Sequence, residues 1–293
     1  MVGVLILPAS FGSPGAAASD FLVSMAPQGP WSELDPSRLA LRSDAALIVD
    51  DAGNSVYGKR TGTVKPIASI TKLMTAMVVL DAKPDMQAPI TIRAEDRDML
   101  RHSRSRMRVD RATLSRREML LIALMSSDNR AAAALGRTTY RGGTPAFVAA
   151  MNRKAQALGM TSSHFADTSG LDAANRSTAE DLVRLVQAAA RYPMIRELTT
   201  RAEAEVRPYA GGGTLPYRNT NPLVRNGTWE VELSKTGYTD DAGRCLVMQA
   251  RIAGKRLTIV LLDSFGKLTP VGDSNRLRKW IEAGLGVDAP DRG

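Results

Sequence analysis

Cysteine is nearly absent from this chain. Of 293 residues one is Cys, Cys245, and two are His, His102 and His164. One thiol excludes an intrachain disulfide framework, and so few Cys and His argue against a Cys/His protease or a thiolate metal site. Cys245 lies in the apolar run "RCLVMQA" and reads as a small buried hydrophobe. Aromatic residues make up only 5%. With no helix-turn-helix, zinc or stacking motif beside the basic residues, nucleic acid is not an expected partner. No apolar run reaches the about 18 residues of a membrane span, so no transmembrane segment is expected. No cofactor or metal is expected either.

What is present is an ordinary globular composition, 44% hydrophobic and 24% charged, with a net charge of +9. A chain this long buries a sizeable core without staples. Its densest basic stretch, "RHSRSRMRVDR" at 101–111, reads as a solvated surface loop. The net charge would also suit an anionic polymer or membrane face.

Residues 1–18 hold a short apolar run, Val2 to Leu7, and then Ala16–Ala18. This is the pattern of a secretory leader with an Ala-x-Ala-like cleavage site, truncated or atypical because it has no basic start. A Pro-, Gly- and Ser-rich linker is expected over 19–40. Two apolar runs around "DAGN" predict a hairpin over 45–60. A helix is expected over 69–82, then an irregular stretch over 83–117. Helices follow at 116–127, 128–137 (capped by Asp128 or Asn129), 144–159 (stopped by Gly159) and 177–192. The last is predicted to start with a capping box of Ser177 and Glu180. Three strands are expected at 229–239, 245–252 and 256–264, apolar enough to be covered on both faces. A final capped helix is expected at 273–285. The order predicts an α/β (α+β) domain over 41–288. It would have a central antiparallel sheet flanked by helices and an inserted all-helical subdomain at about 83–192.

Three short motifs carry chemistry. In "ASITKLMTAM", Ser69 and Lys72 are one helical turn apart and share a side. A serine hydroxyl needs a base, an uncharged lysine amine would serve, and a helix start offers N–H donors for an oxyanion. "SDN" at Ser127–Asn129 falls in a break between helices, where its side chains can enter a cleft. "KTG" at Lys235–Gly237 lies on a strand. Lys235 and Gly237 share one face there, Thr236 takes the other, and Gly237 would let a substrate backbone approach. Ser69 could equally be a helix cap, Asp128 a plain cap and Lys235 an edge lysine. A second Ser-x-x-Lys, Ser264–Lys267, lacks a helix to align it and is set aside. "YRN" at Tyr217–Asn219 imitates a Tyr-x-Asn motif but lies outside the helical block.

The three motifs together, in this order and context, resemble those of penicillin-binding proteins and class A β-lactamases. With "LMSSDNRAAAALG", "TSGLDAANRSTAEDL" and "KTGYTDDAGRCLVMQA", residues of about 42–285 resemble the low-molecular-mass penicillin-binding proteins. These are D-alanyl-D-alanine carboxypeptidases and endopeptidases, and the endopeptidase branch is the nearer match. The resemblance implies acylation at Ser69, Lys72 as base, Ser127 as proton relay, and Asn129 holding Lys72 and the substrate amide. It implies Lys235 and Thr236 at the substrate carboxylate, and the N–H groups of Ser69 and Tyr238 as oxyanion hole. Lys72 would have its pKa lowered by Lys235 and by burial. The implied partners are peptidoglycan stem peptides and cross-bridges, with β-lactams as covalent inhibitors. The implied location is the periplasm, soluble or loosely attached to the membrane. No extra C-terminal domain is expected. Between Asn129 and Lys235 no Glu-x-x-Leu-Asn stretch supplies a deacylating glutamate, which argues against a β-lactamase. Alternatives left open are a carboxypeptidase and a non-catalytic wall-binding protein.

Overall fold

The computed structural model describes residue 27 and residues 29–287. The expected leader at 1–18 lies outside them. In chain order the elements are β1 (Ala45–Asp50), β2 (Ser55–Lys59), β3 (Lys65–Pro66), α1 (Thr71–Asp81), β4 (Pro89–Thr91) and β5 (Thr113–Ser115). Then come α2 (Arg116–Met125), α3 (Asn129–Thr139), α4 (Gly143–Ala157), β6 (Arg176–Ser177), α5 (Ala179–Ala189) and α6 (Pro193–Thr200). The chain closes with β7 (Glu203–Val206), β8 (Leu215–Arg218), α7 (Pro222–Arg225), β9 (Glu230–Thr239), β10 (Gly243–Ile252), β11 (Lys255–Ser264) and α8 (Thr269–Gly284).

The central sheet has the order β2-β1-β11-β10-β9, antiparallel throughout. Its pleat divides two cores. Leu47, Val49, Val247, Val260 and Leu262 face the helical block, while Ile48, Met248, Ile259 and Leu261 face α8 and the N-terminal segment. Burial on both faces explains the near-continuous apolar runs. The predicted hairpin is β1–β2. The β10–β11 turn uses Ala253 and Gly254, both at positive φ (49° and 72°), which suits a two-residue hairpin.

Several expectations need correction. Of the stretch expected as linker at 19–40, residues 29–40 are packed. Trp31, Leu34 and Leu39 are buried in the outer core, and Trp31 Nε1 donates to Asp50 at 2.8 Å. The 83–117 stretch is not irregular throughout, because β4 and β5 pair within it and frame the start of α2. The helix expected from 69 begins at Thr71, and Ser69 sits in a preceding 3-10 turn, Ala68–Ile70. The cap of α5 is Thr178, whose hydroxyl accepts from Asp181 N. Ser177 instead belongs to β6. Asp273 does not cap the last helix, which starts at Thr269. It is fully buried and accepts from Arg42 N, Ser43 N and Ser43 Oγ, tying the N-terminal segment to α8. Finally, α6 and the β7–β8 hairpin extend the inserted block past 192. Pro193 opens α6 as its first residue, a position where its missing N–H costs nothing.

Candidate active site

The site forms where three separate elements meet at the edge of the sheet. Ser69 is carried by the turn before α1. Ala68 is left-handed at φ 45°, and its carbonyl accepts from Thr71 Oγ1 at 2.8 Å. Such a backbone is strained for a residue with a Cβ, by about 1 kcal/mol, and neighbours must hold it. Two glycines allow them to approach. A Cβ on Gly170 (φ 82°) would lie 1.8 Å from Ala68 O. A Cβ on Gly237 would lie 3.0 Å from Ile67 O and 3.1 Å from Ser69 N. Gly237 is therefore small to admit the nucleophile turn. This packing role is one that the sequence did not signal.

Lys72 is 1% exposed. Its Nζ donates to Ser69 Oγ at 2.8 Å, Asn129 Oδ1 at 2.7 Å and Ser169 O at 2.7 Å. Burial lowers its pKa from 10.5 to about 7, against the opposing pull of Asp167, Asp128 and Asp98. The expected contribution of like charge falls instead on Lys235. Its pKa is lowered first by burial and then by the charge of Lys72. Burial pushes both amines toward the neutral form, and the charge of Lys72 pushes Lys235 further.

The chain between α2 and α3 supplies the second element. Ser127 is left-handed at φ 63°, while Asp128 caps α3 by accepting from Ala131 N at 3.0 Å. That break turns Ser127 and Asn129 into the cleft. From β9, Lys235 Nζ donates to Ser127 Oγ at 3.0 Å and to Thr236 O at 2.8 Å. Thr236 takes the opposite side, as strand alternation requires, and its Oγ1 donates to Thr220 Oγ1 at 2.5 Å. Tyr238 is half exposed, under the guanidinium of Arg244 at 3.6 Å, and its hydroxyl donates to Asp240. The structure thus brings together Ser69, Lys72, Ser127, Asn129, Lys235, Thr236, Gly237 and Tyr238 around one cleft of about 1010 Å³.

Sequence reasoning missed three residues that touch the site. Ser169 supplies a carbonyl to Lys72, a backbone role that no side-chain motif signals. Thr220 meets Thr236. Ser103 Oγ accepts from Asn129 Nδ2 at 2.8 Å. Ser103 belongs to the basic stretch, which is the expected solvated loop only in part: His102, Arg104, Arg106 and Arg108 are exposed, but the residues between them are not. Arg101 Nε donates to Leu171 O at 2.7 Å and its guanidinium pairs with Asp241. Ser105 Oγ donates to Asp128 Oδ2 at 2.8 Å, and Met107 is fully buried. The stretch is one wall of the cleft.

A family model described as D-alanyl-D-alanine carboxypeptidase, peptidase family S11, matches residues 32–266. The chain belongs to this family of serine peptidases. Among the relatives of this S11 member is the D-alanyl-D-alanine endopeptidase of Pseudomonas aeruginosa. It is 46% identical over 250 residues, covering 85% of this chain and 80% of that one. The D-alanyl-D-alanine endopeptidase of Escherichia coli is 44% identical, covering 87% and 82%. The Streptomyces K15 DD-transpeptidase has the same fold, with a TM-score of 0.76 at 24% identity over 85% of this chain and 98% of that one. The fold expected from sequence is therefore that of the DD-peptidases.

Proposed function

We propose that this S11 peptidase is a periplasmic D-alanyl-D-alanine endopeptidase that cuts peptidoglycan cross-bridges through an acyl-enzyme on Ser69. The observation that carries it is the set of partners around Lys72 Nζ. Asn129 Oδ1 and Ser169 O accept only, and Ser69 Oγ is the single neighbour that can also donate. When Lys72 is neutral, its two N–H bonds satisfy the two fixed acceptors. Its lone pair is left facing the Ser69 hydroxyl. With a pKa of about 7, a large fraction is neutral at neutral pH.

The steps follow from that arrangement. Lys72 takes the Ser69 proton as Oγ bonds to the carbonyl carbon of a D-alanyl residue. The oxyanion is held by the N–H groups of Ser69 and Tyr238. The tetrahedral intermediate collapses by breaking the C–N bond, and Ser127 gives its proton to the leaving amine. Lys235, hydrogen-bonded to Ser127 Oγ, steadies the resulting alkoxide until it is reprotonated from Lys72. Water then attacks the ester, with Lys72 again as base, and frees Ser69. Lys235 and Thr236 meet the substrate carboxylate, whose charge restores the ammonium form of Lys235. Asn129 fixes Lys72 and contacts the substrate amide. The endopeptidase assignment is supported by the names of the relatives at 44–46% identity.

Purified cross-linked muropeptide tests this directly. Cleavage into monomers, absent in Ser69→Ala, is the expected result. Release of free D-alanine with the cross-link intact would make the enzyme a carboxypeptidase. No turnover of either kind would leave a wall-binding protein.

A further inference from the structure

The stretch "TSGLDAANRSTAEDL" at 168–182 carries part of the family resemblance, yet the steps above use one group from it, the Ser169 carbonyl. That carbonyl is doubly engaged. It accepts from Lys72 Nζ at 2.7 Å and from Ser69 Oγ at 3.4 Å. The next residue, Gly170, packs against the Ala68 carbonyl of the nucleophile turn. What holds both residues lies just before the stretch. Asp167 Oδ1 accepts from Ser169 N at 2.6 Å, Gly170 N at 2.5 Å and Ser169 Oγ at 3.2 Å, and Oδ2 accepts from Asp172 N at 2.8 Å. Aspartate suits such a turn because its short side chain reaches the N–H groups that follow it. Hydrogen bonds to an ionised carboxylate are also stronger than those between neutral groups.

The other carboxylates that act on Lys72 are Asp128 and Asp98. Neither binds the backbone of a residue that touches the amine. Asp128 caps α3 through Ala131 N and accepts from Ser105 Oγ. Asp98 accepts from Leu100 N, Arg101 N and Ser103 N, and reaches Lys72 only through Ser103 and Asn129. Asp167 holds the N–H of the very residue whose carbonyl meets Lys72 Nζ. Charge points the same way. Of the three anions facing Lys72, Asp167 does most to favour the ammonium, while the cation Lys235 faces it from β9.

We propose that Asp167 is a positioning residue for the Ser69–Lys72 pair. Its carboxylate fixes the Ser169 carbonyl, which with Asn129 Oδ1 takes the two N–H bonds of the neutral amine and leaves the lone pair aimed at Ser69 Oγ. Through Gly170 it also holds the turn that carries Ser69. Without it the carbonyl is released, the amine loses a fixed acceptor, and the lone pair loses its aim. The inference rests on the proposed role of Lys72 as the base.

The test follows acylation of the full-length chain by a penicillin across pH, read by intact mass. In Asp167→Asn the amide oxygen still accepts from Ser169 N and Gly170 N, while the charge is lost. In Asp167→Ala the turn loses its acceptor as well. The limiting acylation rate should fall about 100-fold in the Ala variant and less than about tenfold in the Asn variant, since small misplacements of reacting groups carry costs of that order. Both changes remove support for the Lys72 ammonium, so the acid limb of each profile should move to lower pH. A role confined to stability would lower the melting temperature and leave the limb of the folded Asn variant in place, and that result overturns the proposal. So does an Ala variant that folds and is acylated within about threefold of wild type. If the Ala variant does not fold, the limb of the Asn variant decides alone. A wild-type limb near 7 that Asp167→Asn leaves unmoved removes Asp167 and keeps Lys72 as base. A wild-type chain that penicillin does not acylate refutes the proposed function itself, and the positioning role with it.

Discussion

A Cβ on Gly237 would stand 3.1 Å from the backbone nitrogen of Ser69. The edge strand and the nucleophile turn are in backbone contact, so the position of Ser69 is set by the sheet as much as by its own helix. Gly237→Ala should therefore move the turn by a few tenths of an ångström. A loss of about 100-fold in kcat/KM is expected, since small misplacements carry costs of that order. Thermal unfolding should fall only slightly. An activity loss no larger than twofold would separate the strand from the turn.

Gly170→Ala should behave differently. Its Cβ would overlap Ala68 O at 1.8 Å, and φ 82° suits only glycine. Neither strain relaxes without moving the turn, and a loss of about 3 kcal/mol or more is expected by analogy with other overpacked, strained sites. Denaturant titration measures it.

The pH profile should follow Lys72. Its base form is lost as pH falls through about 7, so acylation by a penicillin should drop about tenfold per pH unit below that value. Asn129→Asp would set a carboxylate where Oδ1 now sits, 2.7 Å from Nζ. An opposite charge favours the ammonium, so the acid limb should move to higher pH. A limb that stays in place would exclude Lys72 as the base.

Lys72 should also lower stability. Its folded pKa lies below the unfolded 10.5. Above 10.5 the amine is neutral in both states and no penalty exists. As pH falls toward 7 the unfolded chain binds the proton first, and the penalty grows until both states are charged. At about 1.4 kcal/mol per tenfold change in proton affinity, the upper bound is about 5 kcal/mol. Lys72→Met removes the titrating group, so its stability relative to wild type should rise as pH is lowered from 10 to about 7. Equal pH slopes in the two proteins would contradict this.

Cys245 is 2% exposed, and burial pushes its thiol up to about 12. Alkylation by iodoacetamide at pH 8 should be slow in the native protein and fast in denaturant, since the thiolate is the reactive form. Intact mass reports both.

The sequence by itself determined the elements whose signals are local. Apolar runs gave β1, β10 and β11, turn residues gave the β1–β2 hairpin, and a cap at Asp128 or Asn129 marked the break before α3, where the structure selects Asp128. Three motifs, each weak alone, named Ser69, Lys72, Ser127, Asn129 and Lys235, because a serine nucleophile with a lysine base needs those residue types in those contexts. The tertiary structure decided what depends on distant partners. Trp31 and Leu34 read as linker because the sheet face that buries them comes from other parts of the chain. Ser103 looked like surface because its partner, Asn129, is 26 residues away. Ser169 acts through a carbonyl, a group common to every residue and therefore silent in a side-chain pattern. The depressed pKa of Lys72 was decided by burial among Ser69, Asn129 and the Ser169 carbonyl, since desolvation is a property of the assembled site.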